Sequence, residues 1–555
     1  MKYCLVVFAF YFLISCKSSK EEADLIIYNT KIYTVDSSFS IQEAMCIKDG
    51  KIIAIGKNAD ILNRYNSNQK LSLEGKFVYP GFIDAHCHFY GYGKGLMQVD
   101  LVNTTSFDEV ISKTRDFYKN NLSNIEIDKS TSIGKNQTWL IGRGWDQNDW
   151  ADKEFPNKKK LDSLFPNIPV FLKRVDGHAA LVNQIALDLA GINIKTKIDG
   201  GEIISENGQL TGVLVDNAVD SVEKLIPELN QELIIKSLKE AEKKCLAFGL
   251  TTLDDAGLSK TVIDIIDSLH HRNELQIKVY AMLTPDEINL NYYLKHGPYK
   301  TEKLNVRSFK YYADGALGSR GACLCEEYHD KKGWKGFLLN QPNYFEKFAE
   351  EMFNKGFQMN THCIGDSATS LILKLYNNYI SKSKDLRWRI EHAQVVKPDD
   401  FKLFSKNCLP SVQTTHATSD MYWAAERLGN ERVKYAYAYN DLLQKSGMLA
   451  LGTDFPVEDI NPFKTFYAAV YRKDTKNYPE GGFQMENAIT REQALKGMTI
   501  WAAFANFEEK EKGSLEIGKY ADLIVLDKDL LNCQEQDILK TKVLMTFING
   551  CNTLN

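Results

Sequence analysis

Pro80-Gly81-Phe82-Ile83-Asp84-Ala85-His86-Cys87-His88 is a short apolar run ending in two histidines one residue apart. Side chains on a strand alternate between faces, so His86 and His88 share one face and Cys87 takes the other. Two imidazoles on one strand end make a ready pair of ligands for a zinc-like metal. The stretch reads as a strand that delivers metal ligands at its C-terminal end.

Seven further short apolar segments follow, separated by helical stretches. With the first, they predict strands at Phe82–Ala85, Thr251–Asp254, Ile277–Met282, Ser308–Tyr311, Gln358–Asn360, Arg387–Glu391, Leu409–Gln413 and Leu449–Leu451. Strands alternating with helices indicate an α/β fold with a parallel sheet. Eight of them indicate a (β/α)8 TIM-like barrel over residues 80–510. The gap from about 96 to 238 is too long for one crossover and implies an insertion after the first barrel strand. Leu25-Ile26-Ile27-Tyr28 and Met45-Cys46-Ile47-Lys48 are strand-like, Asp49-Gly50-Lys51 reads as a turn and Ile52–Gly56 as the return strand, and Ala521–Leu526 and Val543–Ile548 have the same texture. Residues 24–79 and 511–555 are therefore expected to form one small β-sandwich domain from both termini.

Three more strand ends carry metal-ligand types. They are His362 in Asn360-Thr361-His362-Cys363-Ile364-Gly365-Asp366, His392 in Arg389-Ile390-Glu391-His392, and Asp454 in Leu451-Gly452-Thr453-Asp454-Phe455-Pro456. Barrel active sites assemble from the C-terminal ends of strands. One such residue alone carries little weight; four such placements in one barrel point to a shared metal site. Lys310, in Phe309-Lys310-Tyr311-Tyr312, faces the same place, where an unmodified ammonium would repel a metal.

The order His-x-His, Lys, His, His, Asp resembles the amidohydrolase superfamily, over nearly the whole chain. The nearest branch is amidohydrolase family 3, which includes N-substituted formamide deformylases. Its motifs are matched by Gly142-Arg143-Gly144-Trp145-Asp146-Gln147, Asp176-Gly177-His178, Gly249-Leu250-Thr251-Thr252, Asp314-Gly315-Ala316-Leu317-Gly318-Ser319, Ser419-Asp420 and Gly513-Ser514-Leu515-Glu516-Ile517-Gly518-Lys519. Gln413-Thr414-Thr415-His416 departs from the pattern, since relatives often carry Pro after the Gln.

The resemblance implies hydrolysis of a C–N bond, amide or formamide-like, by metal-activated water. It implies divalent metal, two zinc ions, with a carbamylated Lys310 bridging them. The expected metal ligands are His86, His88, Lys310, His362, His392 and Asp454. His86, His88 and Asp454 hold one ion, and His362 and His392 the other. Asp454 also moves the proton. His178 is the expected partner of the carbonyl oxygen or its oxyanion. Trp145, Asp146 and His416 are expected beside the substrate, although Trp145 and Trp150 also suit packing anchors. Asp254 and Asp255 are expected to brace the barrel by hydrogen bonds. Alternative readings are a one-metal deaminase, a cyclic-amide hydrolase, and a non-catalytic lipoprotein that uses the barrel only to bind a ligand.

Bulk properties agree with a large soluble enzyme. The 555 residues are 44% hydrophobic and 25% charged, and the net charge of −4 gives no basic face for nucleic acid. The first residues differ. Lys2, an apolar run from Tyr3 to Ile14, and Leu13-Ile14-Ser15-Cys16 resemble a lipoprotein signal peptide and lipobox. Cleavage would leave Cys16 as the lipidated residue and 17–23 as a tether. The chain is then expected in the cell envelope, on the periplasmic or cell-surface side, touching a membrane through its lipid. Of eleven cysteines, nine remain after Cys4 and Cys16, with no disulfide framework, and they read as buried thiols.

Overall fold

The computed structural model describes residues 20–121, 138–174, 179–198, 201–227, 229–382 and 385–554. Cys16 and the first part of the tether lie outside them. The centre is a run of eight strands: β1 (Phe82–Cys87), β2 (Leu250–Leu258), β3 (Lys278–Leu283), β4 (Leu304–Tyr312), β5 (Gln358–Cys363), β6 (Trp388–His392), β7 (Cys408–Val412) and β8 (Ala450–Leu451). Each pairs in parallel with the next. All six residues of β1 are buried, as expected of a parallel strand covered on both sides. The ladder stops at β8, but the backbone closes the ring. Asp454 N–H donates to His86 O at 2.7 Å, and His88 N–H donates to Phe455 O at 2.8 Å. The result is a nearly closed, TIM-like barrel.

Helices cover it for ordinary reasons. Pro342–Lys355 starts on a proline and stops at Gly356, which takes the left-handed conformation. Its buried residues Phe345, Phe348, Ala349 and Met352 fall on one helical stripe.

Two structures flank the barrel. Between β1 and β2 lies a six-stranded sheet in the order Val99–Asp100, Leu140–Trp145, Val170–Arg174, Ala179–Val182, Gln209–Asp216, Gly201–Glu206. It has its own apolar clusters, one around Leu140, Leu172 and Val213 and another around Phe171, Val182 and Leu214. The helix Gln231–Ala247, capped by Asn230, returns the chain to β2. Near the termini, Leu25–Tyr28, Ala44–Lys48, Lys51–Gly56 and Gln69–Ser72 form a four-stranded sheet. Phe77–Pro80 and Lys31–Tyr33 join Leu523–Leu526 and Val543–Ile548 in a second sheet. Ile27, Met45, Val78, Leu523 and Phe547 pack in one cluster across the two sheets. The Asp49-Gly50 turn has positive φ at both residues (49° and 74°), the geometry of a two-residue hairpin.

Among the described residues, no helix is long and apolar enough to cross a membrane. The nine described cysteines are all free, and five are buried.

Candidate metal centre

β1 and the residue that follows it supply the first two imidazoles, His86 and His88. His86 Nδ1 lies 2.5 Å from Glu391 Oε2, and His88 Nδ1 lies 2.9 Å from the carbonyl of Ala256. Both partners accept, so each Nδ1 carries the hydrogen and each Nε2 offers a lone pair. Cys87 turns away into the apolar core. Strand β8 must come very close here. A Cβ on Gly452 would sit 2.5 Å from His86 N and 2.9 Å from Asp84 Oδ1, so only glycine fits. Asp84, in the same apolar run, accepts from Thr453 N–H at 2.9 Å and Thr453 Oγ1 at 2.7 Å. It pins the last strand to the first.

β6 supplies two consecutive functional side chains. Alternation along the strand sends Arg389 and Glu391 to one face. His392 would face the other way, but it and Ala393 have φ of 70° and 41°. This departure from extended backbone accompanies an inward His392, whose ring lies 4.9 Å from His86 and 4.5 Å from His362. His392 Nδ1 donates to Gln413 Oε1 at 2.7 Å. Asp454 also has positive φ, 62°. Non-glycine residues held there cluster at functional sites.

The carboxylate of Asp454 completes the group. Its Oδ1 lies 3.2 Å from His88 Nε2 and 3.7 Å from His86 Nε2, and its Oδ2 lies 3.7 Å from His416 Nε2. Ligand atoms of His86, His392 and Asp454 all fall within 4.8 Å of one another, and all three residues are buried. Lys310 is 1% exposed, with Nζ 3.0 Å from His86 Nε2. Nε2 of His362 and Nε2 of His416 are buried without a hydrogen-bond partner. Buried polar atoms are rarely left so. Neutral nitrogens, a carboxylate and unfilled lone pairs at one point fit a divalent metal of the zinc type.

The electrostatics agree. Burial, with the Lys310 charge, pushes the His86 pKa down. The same causes, joined by His86, take His362 down to about 3. Burial and the His362 and His86 rings hold His392 well below the usual histidine range. These imidazoles stay neutral, which metal binding requires. Burial works to raise Asp454, yet contact with His88 and the surrounding histidines holds it well below the usual carboxylate range. Burial lowers Lys310, against the pull of Glu391 and Asp454.

A cavity of about 280 Å³ opens beside the cluster; His88, Tyr90, Lys94, Asp255, Lys310 and Tyr312 are among its lining residues. His416 is at the centre, its ring stacked 5.8 Å from that of His392. Trp145 lies elsewhere. It is 1% exposed, donates its indole N–H to Leu172 O at 2.7 Å, and packs beside Trp150 in the core of the inserted sheet. Asp146 accepts from Arg174 Nη2 at 2.6 Å. His178 lies outside the described residues. Asp254 sits under the site, accepting from Arg389 and Asn506, and Asp255 accepts from Tyr90 N–H at 3.0 Å. Asp314, 3.9 Å from His362 Nε2, accepts three backbone N–H groups, from Cys323, Ile364 and Gly365. Glu391 and Asp314 were readable in the sequence only as motif letters. For Glu391 the available signal was its place two residues after Arg389.

Comparison with known proteins agrees with this geometry. The profile of the amidohydrolase family, family 3, matches residues 70–551. The chain is 32% identical to protein LONG AFTER FAR-RED 3 of Arabidopsis thaliana, over 95% of this chain and 91% of that one. It is 24% identical to the N-substituted formamide deformylase of Arthrobacter pascens, over 95% and 97%. The crystal structure of an uncharacterized metal-dependent hydrolase from Pyrococcus horikoshii superposes with a TM-score of 0.76 at 26% identity, over 92% of this chain and 99% of that one. The chain belongs to the amidohydrolase family and is a metal-dependent hydrolase of carbon–nitrogen bonds.

Proposed function

We propose that the protein hydrolyses an amide or formamide-like bond of a small molecule with two zinc ions. The observation that carries the metal-dependent reading is the meeting of His86, His392 and Asp454 ligand atoms within 4.8 Å, beside a cavity at the C-terminal ends of the strands; the count of two follows from the further ligands His88, His362 and Lys310 around them. The likeness to a formamide deformylase supports the bond type. In this reading His86, His88 and Asp454 would hold one ion and His362 and His392 the other, and Lys310, as a carbamate, would supply anionic oxygen ligands. The lowered pKa of Lys310 supports carbamylation, because the neutral amine is the form that adds carbon dioxide. A one-metal reading draws on the tightness of the His86, His392 and Asp454 group alone; metal counting separates the two.

When bound, divalent metal supplies Lewis acidity to the attacking water and to the amide carbonyl. Asp454 Oδ1 faces His86 and His88, which leaves Oδ2 to accept the proton of the water. The carboxylate is held in its ionised form, the form that accepts a proton. Oδ2 then returns the proton to the leaving nitrogen. His416, beside Oδ2, and His178 are placed in this scheme on the substrate side. A panel of N-formyl, N-acyl and cyclic amides, assayed on zinc-reconstituted protein, tests the reading. Turnover of the formyl and acyl amides supports it, and turnover of none of them removes it.

We further read residues 24–79 and 511–555 as one β-sandwich domain beside the hydrolase barrel of 80–510. The apolar run before Cys16 supports lipidation there and a place in the cell envelope. Fatty-acid labelling of wild type, absent in Cys16→Ala, is the expected result.

A further inference from the structure

Three of the inward-facing imidazoles are held from behind through Nδ1, and the three acceptors differ. His88 is held by a backbone carbonyl, His392 by the side-chain amide of Gln413, and His86 by the carboxylate of Glu391. The last contact is the shortest, 2.5 Å, and both side chains are wholly buried. Glu391 is itself part of a buried chain. Arg389 Nη1 lies 4.0 Å from Glu391 Oε1 and donates to Asp254 Oδ2 at 2.8 Å and to Ala85 O at 3.1 Å. Asn506, from the segment behind the barrel, pairs with both Arg389 and Asp254. Arg389 thus ties the strand that carries Glu391 to the residue just before His86.

We propose that Glu391 is a positioning residue for His86, fixing its ring so that Nε2 faces the metal and strengthening that nitrogen as a ligand. This rests on the reading of His86 as a ligand. A carboxylate on the far nitrogen of a ligating histidine sets its tautomer and raises its basicity, and loss of such a partner costs about 10–100-fold in metal affinity. The pair is closed to solvent, so bulk water does not replace the carboxylate. A neutral amide at this position would remove the charge, and its NH2 group could face Nδ1 and favour the wrong tautomer.

The test is zinc affinity of the full chain, measured in competition with a chromophoric chelator, with thermal unfolding of the metal-free proteins as the structural control. His86→Ala is expected to lose the tight site. Glu391→Gln is expected to weaken zinc about tenfold and Glu391→Ala about a hundredfold, with the Glu391→Gln protein folding as wild type does. Should Glu391→Ala not fold, Glu391→Gln carries the test alone. Wild-type zinc affinity in Glu391→Gln, with His86→Ala defective, overturns the inference and leaves the ligand reading standing. So does a lowered melting temperature with unchanged affinity. Wild-type affinity in His86→Ala would instead remove the ligand reading itself.

Discussion

The main-chain N–H of Asp454 donates to the carbonyl oxygen of His86 at 2.7 Å, so two residues of the metal group are also the seam that closes the barrel. β8 has only two residues in the ladder, and this contact does what a longer strand would otherwise do. One backbone contact thus links the closure of the ring to two residues of the metal group.

Gly452 lies at that seam, where an added methyl would meet His86 N at 2.5 Å. Gly452→Ala is expected to lower unfolding free energy by about 1–3 kcal/mol, the usual cost of overpacking. It should also weaken zinc binding, since His86 must move. Denaturant unfolding of the metal-free protein checks the first part and zinc titration the second.

Asp454→Asn keeps the size and removes the proton acceptor. Turnover is expected to fall by about 10²–10⁴-fold, with circular dichroism and melting behaviour close to wild type. Full activity in this variant would remove Asp454 from the proton path.

Lys310 is the residue on which metal count turns. Metal-free protein loaded with zinc in carbon dioxide-free buffer is expected to take up less zinc than protein loaded with bicarbonate. With ¹³C-bicarbonate, a carbamate carbon signal should appear in wild type and be absent from Lys310→Ala. Equal loading without bicarbonate favours the one-metal reading.

His270 gives a prediction far from the metal. It is buried on the helix Lys260–His271, with Nε2–H donating to Ile277 O at 2.9 Å and Nδ1 unpartnered. Burial, aided by nearby Lys303 and His271, holds its pKa down at about 4, against an ordinary 6.5. Between these values the unfolded chain binds a proton that the folded chain refuses, so stability falls as pH drops from 6.5 towards 4. The contribution reaches about 3 kcal/mol at most. His270→Gln keeps an N–H donor and does not titrate. Its stability should lose less than wild type over that window, measured by urea unfolding at several pH values.

The barrel was legible because the parallel strands are mostly buried and read as short apolar runs, several of which end in or beside a metal-ligand type. The ends of those runs were less legible. β2 and β4 run to nine residues each, past the expected Thr251–Asp254 and Ser308–Tyr311: β2 continues through Asp255, whose buried carboxylate accepts from Tyr90 N–H, and β4 begins earlier, at Leu304, where Asn305 and Arg307 interrupt the apolar run. His86, His88, His362, His392 and Asp454 could be picked out as residue types at strand ends. Glu391 could not, since its role depends on a contact with a strand about three hundred residues away in the chain. Trp145 in its glycine-rich loop suits either a pocket or a packing role from sequence, and its indole N–H is satisfied inside the inserted sheet. Local sequence did not show which side of that sheet it would take.

The most direct test of the account is the amount of metal bound per chain after exhaustive dialysis against metal-free buffer, by elemental analysis. Wild type is expected to retain zinc in a whole-number ratio, and the combined His86→Ala, His392→Ala, Asp454→Ala protein, folded by circular dichroism, is expected to retain none. Zinc retained equally by both proteins would contradict it.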